Sequence, residues 1–114
     1  MTDCLFCKII SREVPGDIVY EDDKIIAFKD IEPQAPVHVL IVPREHIPAL
    51  VDLTEETADI IGYLHYKTRE IAKEMGIEER GFRLICNYGK DANQIVPHIH
   101  FHLIGGRSLS WPPG

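Results

Sequence analysis

Between His98 and Ile104 the chain reads His-Ile-His-Phe-His-Leu-Ile, imidazole and apolar side chains in strict alternation. A period of two belongs to a β-strand and to no helix, so this segment is expected to be a strand with two unlike faces. One face, Ile99, Phe101 and Leu103, demands an apolar partner. The other carries His98, His100 and His102, about 6–7 Å apart at the usual rise of a strand. Half of the chain's 6 histidines fall in this one stretch. Histidine is the side chain that titrates near neutrality, so the density favours a metal centre or a nucleophilic, acid–base site over a solvated polar stripe.

A cover for the apolar face is written upstream. Over residues 54–75, Ala58, Ile61, Leu64, Thr68, Ile71 and Met75 recur at spacings of three and four, the stripe of an amphipathic helix. Thr54 suits its N-cap, Glu55 and Glu56 the positive end of its dipole, and Gly76 the position after its C-cap. His65, on or beside the stripe, reads as an ordinary packed or partly exposed helix histidine. A short helix is expected over residues 4–11, stopped by Pro15-Gly16. Residues 17–20 and 24–29 form a hairpin across Glu21-Asp22-Asp23. Residues 37–42 are a strand ended by Pro43, and 82–87 and 95–104 are two more. Five strands with short connections make a mainly antiparallel sheet with the long helix on one face, an α+β fold.

The 114 residues suffice for one core, so a single domain over 1–114 is expected. A net charge of −6 offers no basic field for a phosphate backbone, which argues against nucleic acid as a partner. No apolar run approaches the roughly 20 residues that cross a bilayer, and the N-terminus has no signal-peptide core, so neither a membrane nor export is expected. The cytoplasm is the expected location. Three cysteines, an odd number without an export signal, argue against a disulfide framework. Cys86 sits in an apolar run and reads as a small buried hydrophobe. Cys4 and Cys7 form a C-x-x-C pair, which suits metal binding or redox chemistry.

Three histidines at strand spacing do not easily share one metal, because metal–nitrogen bonds of about 2 Å cannot span such steps. A catalytic histidine with two helpers fits better. His100, flanked on both sides, is then the natural nucleophile towards phosphorus, provided it is neutral with its other nitrogen held by a backbone carbonyl or a second histidine. Gly105-Gly106 after the strand are expected to let backbone amides approach a phosphate.

The segment 98–104 resembles the H-φ-H-φ-H-φ-φ motif of the histidine triad superfamily. Residues 27–31, 33–38 and 43–47, with Gly105-Gly106-Arg107 and Trp111-Pro112-Pro113-Gly114, are similar to its nucleotide-binding branch, the purine nucleoside phosphoramidate hydrolases. That resemblance implies a homodimer whose two sheets join into one of ten strands. It implies cleavage of the P–N bond of adenosine or guanosine 5′-phosphoramidates, releasing AMP or GMP and an amine, without an organic cofactor. His100 would form a nucleotidyl-histidine, His102 would contact phosphate oxygens and assist the leaving group, and His38 would support the tautomer of His100 through a relay. Asn87 would touch the phosphate or the amine, Asp30 the ribose hydroxyls, Phe28 and Ile31 the base, and Trp111 the partner subunit's site. Ile95 departs from the serine of many eukaryotic members, which puts leaving-group preference in doubt.

The resemblance also bears on the C-x-x-C pair, which is half of a tetrahedral zinc site. Several branches complete it with the positions of His46 and His98, making His98 a structural ligand. The alternative is that Cys4 and Cys7 pack as small hydrophobes beside Phe6. Other functions stay open: a nucleotide-sensing binding or scaffold protein with incidental turnover, or a dinucleoside polyphosphate hydrolase, which His102 argues against because those branches typically carry Gln there.

Overall fold

Each periodic run of the sequence becomes one element in the computed structural model, which describes residues 3–114. In chain order these are α1 (Leu5–Ile10), β1 (Ile18–Glu21), β2 (Ile25–Lys29), β3 (Val37–Pro43), a 3-10 turn (Leu50–Asp52), α2 (Glu55–Glu74), β4 (Phe82–Cys86) and β5 (Phe101–Gly105). The strands form one sheet in the order β1-β2-β3-β5-β4, with every neighbouring pair antiparallel. The α+β architecture is the expected one. No helix among the described residues is long and apolar enough to cross a membrane.

Thr54 caps α2 as expected, its hydroxyl accepting the Thr57 amide while the Thr57 hydroxyl accepts the Thr54 amide. Gly76, at φ +78°, takes the left-handed position that ends the helix. Leu64, Ile71 and Ala72 of α2 pack on Ile99, Phe101 and Leu103, together with Ile25, Ala27, Val39 and Ile41. Ala58, assigned to this stripe by its spacing, is exposed, and the half-buried Ile60 packs on the core instead. His65 donates from its ring to the Ile61 carbonyl and stands edge-on to Phe101, yet is exposed, an ordinary helix histidine as expected.

The opposite face of the sheet has its own core. Phe6 and Ile9 of α1 lie on Ile26, Phe28, Leu40 and Val42. The histidine face therefore lies beneath a lid: His98 is fully buried and His100 only 7% exposed. Burial on both faces explains why β2 and β3 read as continuous apolar runs rather than alternating ones.

One strand begins later than its pattern predicts. Alternation reaches back to residue 95, yet β5 starts at Phe101. The β3–β5 register, in which Ile41 faces Phe101, would set Ile99 opposite Pro43, which has no N–H to give. The Ile99 amide turns to the Ile47 carbonyl at 2.7 Å instead. The Pro43 carbonyl is taken by the His98 ring at 2.8 Å. Residues 98–100 thus keep their alternating burial while leaving the ladder.

The β1–β2 turn is locked to α2 through Asp22. Its carboxylate accepts the hydroxyls of Tyr63 at 2.6 Å and Tyr20 at 2.8 Å and the amides of Lys24 and Ile25. Partial burial alone would raise its pKa, but these donors outweigh that and hold it at about 2. A carboxylate depressed in this way stabilises the fold above its unfolded pKa of about 3.8 and loses that contribution as pH falls through about 2. Asp22→Ala is therefore expected to cost about 2–3 kcal/mol at pH 7. In urea denaturation at several pH values, the gap between wild type and variant should close between about pH 4 and pH 2. A gap that stays constant over that window would refute the assignment.

Candidate active site and metal centre

The site is assembled by β3 and by the segment running into β5. Leu40 of β3 pairs with His102, so His38, two residues earlier on the same face, lies diagonal to it. The His38 Nε2 and His102 Nδ1 atoms are 2.9 Å apart, and an Asp30 oxygen lies 3.4 Å from the same Nε2. The other His38 nitrogen, Nδ1, accepts the backbone N–H of Gln34 at 3.0 Å. An amide can only donate, so Nδ1 bears no proton and the neutral ring carries it on Nε2. His38 then donates to His102, whose Nδ1 is an acceptor and whose own proton stands on Nε2. Burial, and after it the charges of His100 and His38, hold His102 down to a pKa of about 4.

His100 is fixed by a different partner. Its Nδ1 lies 2.8 Å from the His98 carbonyl, which only accepts, so Nδ1 carries the proton and Nε2 the lone pair. Burial lowers its pKa, against the pull of that carbonyl bond. The ring stacks edge-on against Phe6, with centroids 5.0 Å apart, and against His102, at 5.1 Å. A neutral imidazole with one nitrogen anchored and the other free is poised as a nucleophile. The expected relay from His38 to His100 is not what forms: His38 meets His102, and a backbone carbonyl sets the tautomer of His100.

His98 faces the other way. Its Nε2–H donates to the Pro43 carbonyl, leaving the Nδ1 lone pair 3.4 Å from the Cys4 sulfur and 3.6 Å from that of Cys7. Cys7 Sγ lies 3.2 Å from His46 Nδ1. All four donor atoms fall within 4.8 Å of one another. A tetrahedral zinc with bonds of about 2.0 Å to nitrogen and 2.3 Å to sulfur places its ligands roughly 3.3–3.8 Å apart, so the cluster fits. Burial, the hydrogen bond to Cys4 and its charge push the Cys7 thiol up to about 11, the opposite of what a bound cation would do. Burial lowers His98 to about 4, which keeps it a neutral ligand at pH 7.

Asp30, His38 and His102 form a second cluster with donor atoms equally close. Here the tautomers are wrong for a metal. A ligating histidine donates through its other nitrogen, as His98 does to Pro43, whereas the distal nitrogen of His38 accepts from Gln34. The first cluster suits a cation and the second suits proton transfer.

The remaining candidates are more scattered. Phe28 is buried and edge-on to Phe6 at 5.5 Å, and Asn87 is half-buried just beyond β4. Ile31 is 94% exposed and Trp111 82%, both standing clear of the histidines' burial. The glycine pair also serves close packing between chain segments: a Cβ on Gly105 would come within 2.9 Å of Ile77, and one on Gly106 within 2.9 Å of Pro36. Three contributors escaped sequence reasoning: the Gln34 amide, the Pro43 carbonyl and the Phe6 ring. The first two are backbone groups that carry no side-chain signature, and only the Phe6 position beside Cys7 could have drawn attention.

The chain is similar to known proteins. The chain is 50% identical over 114 residues to a protein of Brassica juncea named 14 kDa zinc-binding protein, covering 98% of this chain and all of that one. It is 49% identical over 112 residues to the adenylylsulfatase HINT1 of Arabidopsis thaliana, covering 96% of this chain and 76% of the relative. The crystal structure of a HIT family hydrolase from Legionella pneumophila superposes with a TM-score of 0.95 at 43% identity, covering 98% of this chain and the whole of that one. The HIT domain signature matches residues 11–109, and the chain belongs to the HIT domain family.

Proposed function

We propose that this protein is a purine nucleoside phosphoramidate hydrolase working through a nucleotidyl-histidine. The observation that carries the reading is His100, buried, neutral and anchored at Nδ1 to the His98 carbonyl so that Nε2 holds its lone pair. In the first step Nε2 attacks the α-phosphorus and the P–N bond breaks; the departing nitrogen accepts a hydrogen bond from the His102 Nε2–H and takes its proton from a water molecule, which becomes hydroxide. In the second, that hydroxide attacks the same phosphorus, the bond from phosphorus to His100 Nε2 breaks, and the nucleoside monophosphate leaves with neutral His100 restored. His38 holds His102 in the donor form. Asp30 binds the ribose hydroxyls, Phe28 and Ile31 line the base, and Asn87 binds the phosphate or the amine.

The adenylylsulfatase name of the Arabidopsis relative favours a second leaving group, sulfate, for the same chemistry. Both substrates give AMP, so the two readings differ only in what departs. Ile95 is 78% exposed and brings no hydroxyl to that side of the site. Cys4, Cys7, His46 and His98 hold a structural zinc in this reading, supported by their donor geometry and by the zinc-binding name of the Brassica relative. Zinc there would supply a rigid cross-link between α1 and the sheet. A reducing cytoplasm keeps both thiols available. Dimerisation pairs the open edge of β4 with its copy, making a sheet of ten strands and carrying the exposed Trp111 to the partner.

The test is a rapid quench with adenosine 5′-phosphoramidate labelled at phosphorus, run beside adenylyl sulfate on protein that sediments at twice the 13.0 kDa chain mass. Label on His100 during turnover and AMP from the phosphoramidate are the expected results. Turnover without a burst or a trapped adduct would rule out the covalent route, and AMP from adenylyl sulfate alone would replace the amine with sulfate.

A further inference from the structure

The Gln34 amide, in an otherwise exposed turn, keeps His38 Nδ1 unprotonated, while the Asp30 carboxylate 3.4 Å from Nε2 favours the same tautomer. The turn is gripped from outside by the corner that follows β5. Arg107 donates to the Gln34 carbonyl twice, from Nη2 at 3.0 Å and from Nε at 3.3 Å, while its Nη1 holds the Ser108 carbonyl at 3.1 Å. Gly106, at φ +91°, brings this corner so close that an added Cβ would meet Pro36 at 2.9 Å. Within the turn, Asp30 accepts the Glu32 amide and the Gln34 side chain donates to the Glu32 carbonyl. Those bonds shape the turn locally. At its base the Asp30 amide donates to the His38 carbonyl of β3 at 3.0 Å, and the guanidinium grips the turn at Gln34.

We propose that Arg107 is a positioning residue: it holds the Gln34 turn so that the Gln34 amide keeps His38 in its Nε2–H form and, through it, His102 in its own. The consequence for His102 rests on the reading of that residue as hydrogen-bond donor to the leaving group. If the Gln34 amide withdraws, His38 gains access to the Nδ1–H form and its Nε2 becomes an acceptor. His102 must then place its proton on Nδ1 to satisfy it, and Nε2, on the substrate side, is left with nothing to donate. The bond forming to phosphorus is untouched, but the departing nitrogen loses its hydrogen bond from His102. Arg107 is exposed and binds no substrate in this scheme, so nucleotide affinity is unaffected.

The experiment compares wild type with Arg107→Met, which keeps an unbranched side chain but removes its donors, and with Arg107→Lys, which restores a charged donor group. Gly106→Ala displaces the same corner by an independent route. Long-range nitrogen–proton NMR spectra of the histidine rings read the tautomers directly. Wild-type His38 is expected in a single Nε2–H form. Arg107→Met and Gly106→Ala should show a second form, with kcat lower by about five- to tenfold and KM within about twofold, and Arg107→Lys should fall between. A His38 that stays in one form in both Arg107→Met and Gly106→Ala overturns the proposal, whatever happens to kcat. Mixed tautomers with an unchanged kcat would break the link from His38 to His102. The spectra need no substrate, so the positioning role stands or falls separately from the hydrolase reading.

Discussion

His100→Ala is expected to lower AMP release from adenosine 5′-phosphoramidate by about 10³–10⁵-fold, while AMP still binds within a few-fold of wild type. The size follows from the lack of a substitute. His102 cannot replace His100, because its Nδ1 is occupied by His38 and its Nε2 carries the proton. His98 cannot either, because its free nitrogen points to the cysteines and its other one is committed to Pro43. Removing a side chain that is only 7% exposed leaves a small void under Phe6, and thermal unfolding of the variant should show a modest loss, on the order of 1–3 kcal/mol. Such a loss leaves a folded protein whose binding can be measured. Unchanged hydrolysis would disprove the assigned nucleophile. A wild type that binds AMP and releases none from the phosphoramidate would favour the sensing or scaffold alternative.

The contrast between these histidines marks how far the residues alone could be followed. The alternation at 98–104 correctly separated the face of Ile99, Phe101 and Leu103, which packs under α2, from the imidazole face. It could not show that the two faces would both be buried. The lid is α1, a helix of 6 residues whose buried positions, Phe6 and Ile9, are too few to announce a partner. Nor could periodicity place the start of β5, because that depends on which residue of β3 lies opposite. Pro43 falls there by register, not by sequence neighbourhood.

The roles of the three imidazoles were harder still. Each is determined by the group at its far nitrogen: the Pro43 carbonyl for His98, the His98 carbonyl for His100, and the His38 ring for His102. Two of these are backbone atoms without a sequence signature. The C-x-x-C pair was legible as half a metal site because its spacing is local. Its other half stands 94 residues away for Cys4 and His98, and 39 for Cys7 and His46, so only the fold can join them.

Zinc analysis of protein purified without chelator should give close to one zinc per chain, and less than about 0.2 would sink the site. The larger effect is expected when the site is broken. The 6 residues of α1 are too few to hold a helix by themselves, so in the metal-bound protein the clip between Cys4, Cys7, His46 and His98 anchors it. Without the metal, α1 keeps the packing of Phe6 and Ile9 on the sheet, with the partly buried Ile10 and Cys7 beside them. Cys4→Ser combined with Cys7→Ser is therefore expected to cost about 3 kcal/mol or more, a fall in Tm of roughly 10–20 °C for a domain of this size. The loss should be reproduced by a strong chelator and reversed by added zinc in wild type, but not in the variant. Hydrogen exchange should show α1 opening while α2 stays protected, because α2 lies on the opposite face of the sheet and shares no ligand with the clip. An unchanged Tm after metal removal would mean that the four side chains pack without needing an ion. Loss of protection in α2 as great as in α1 would mean that the clip holds the whole sheet rather than its lid. Between those outcomes the physical difference is plain: His98 offers a neutral, correctly oriented lone pair to two thiols, and a cation is what turns that arrangement from a desolvated cluster into a bond.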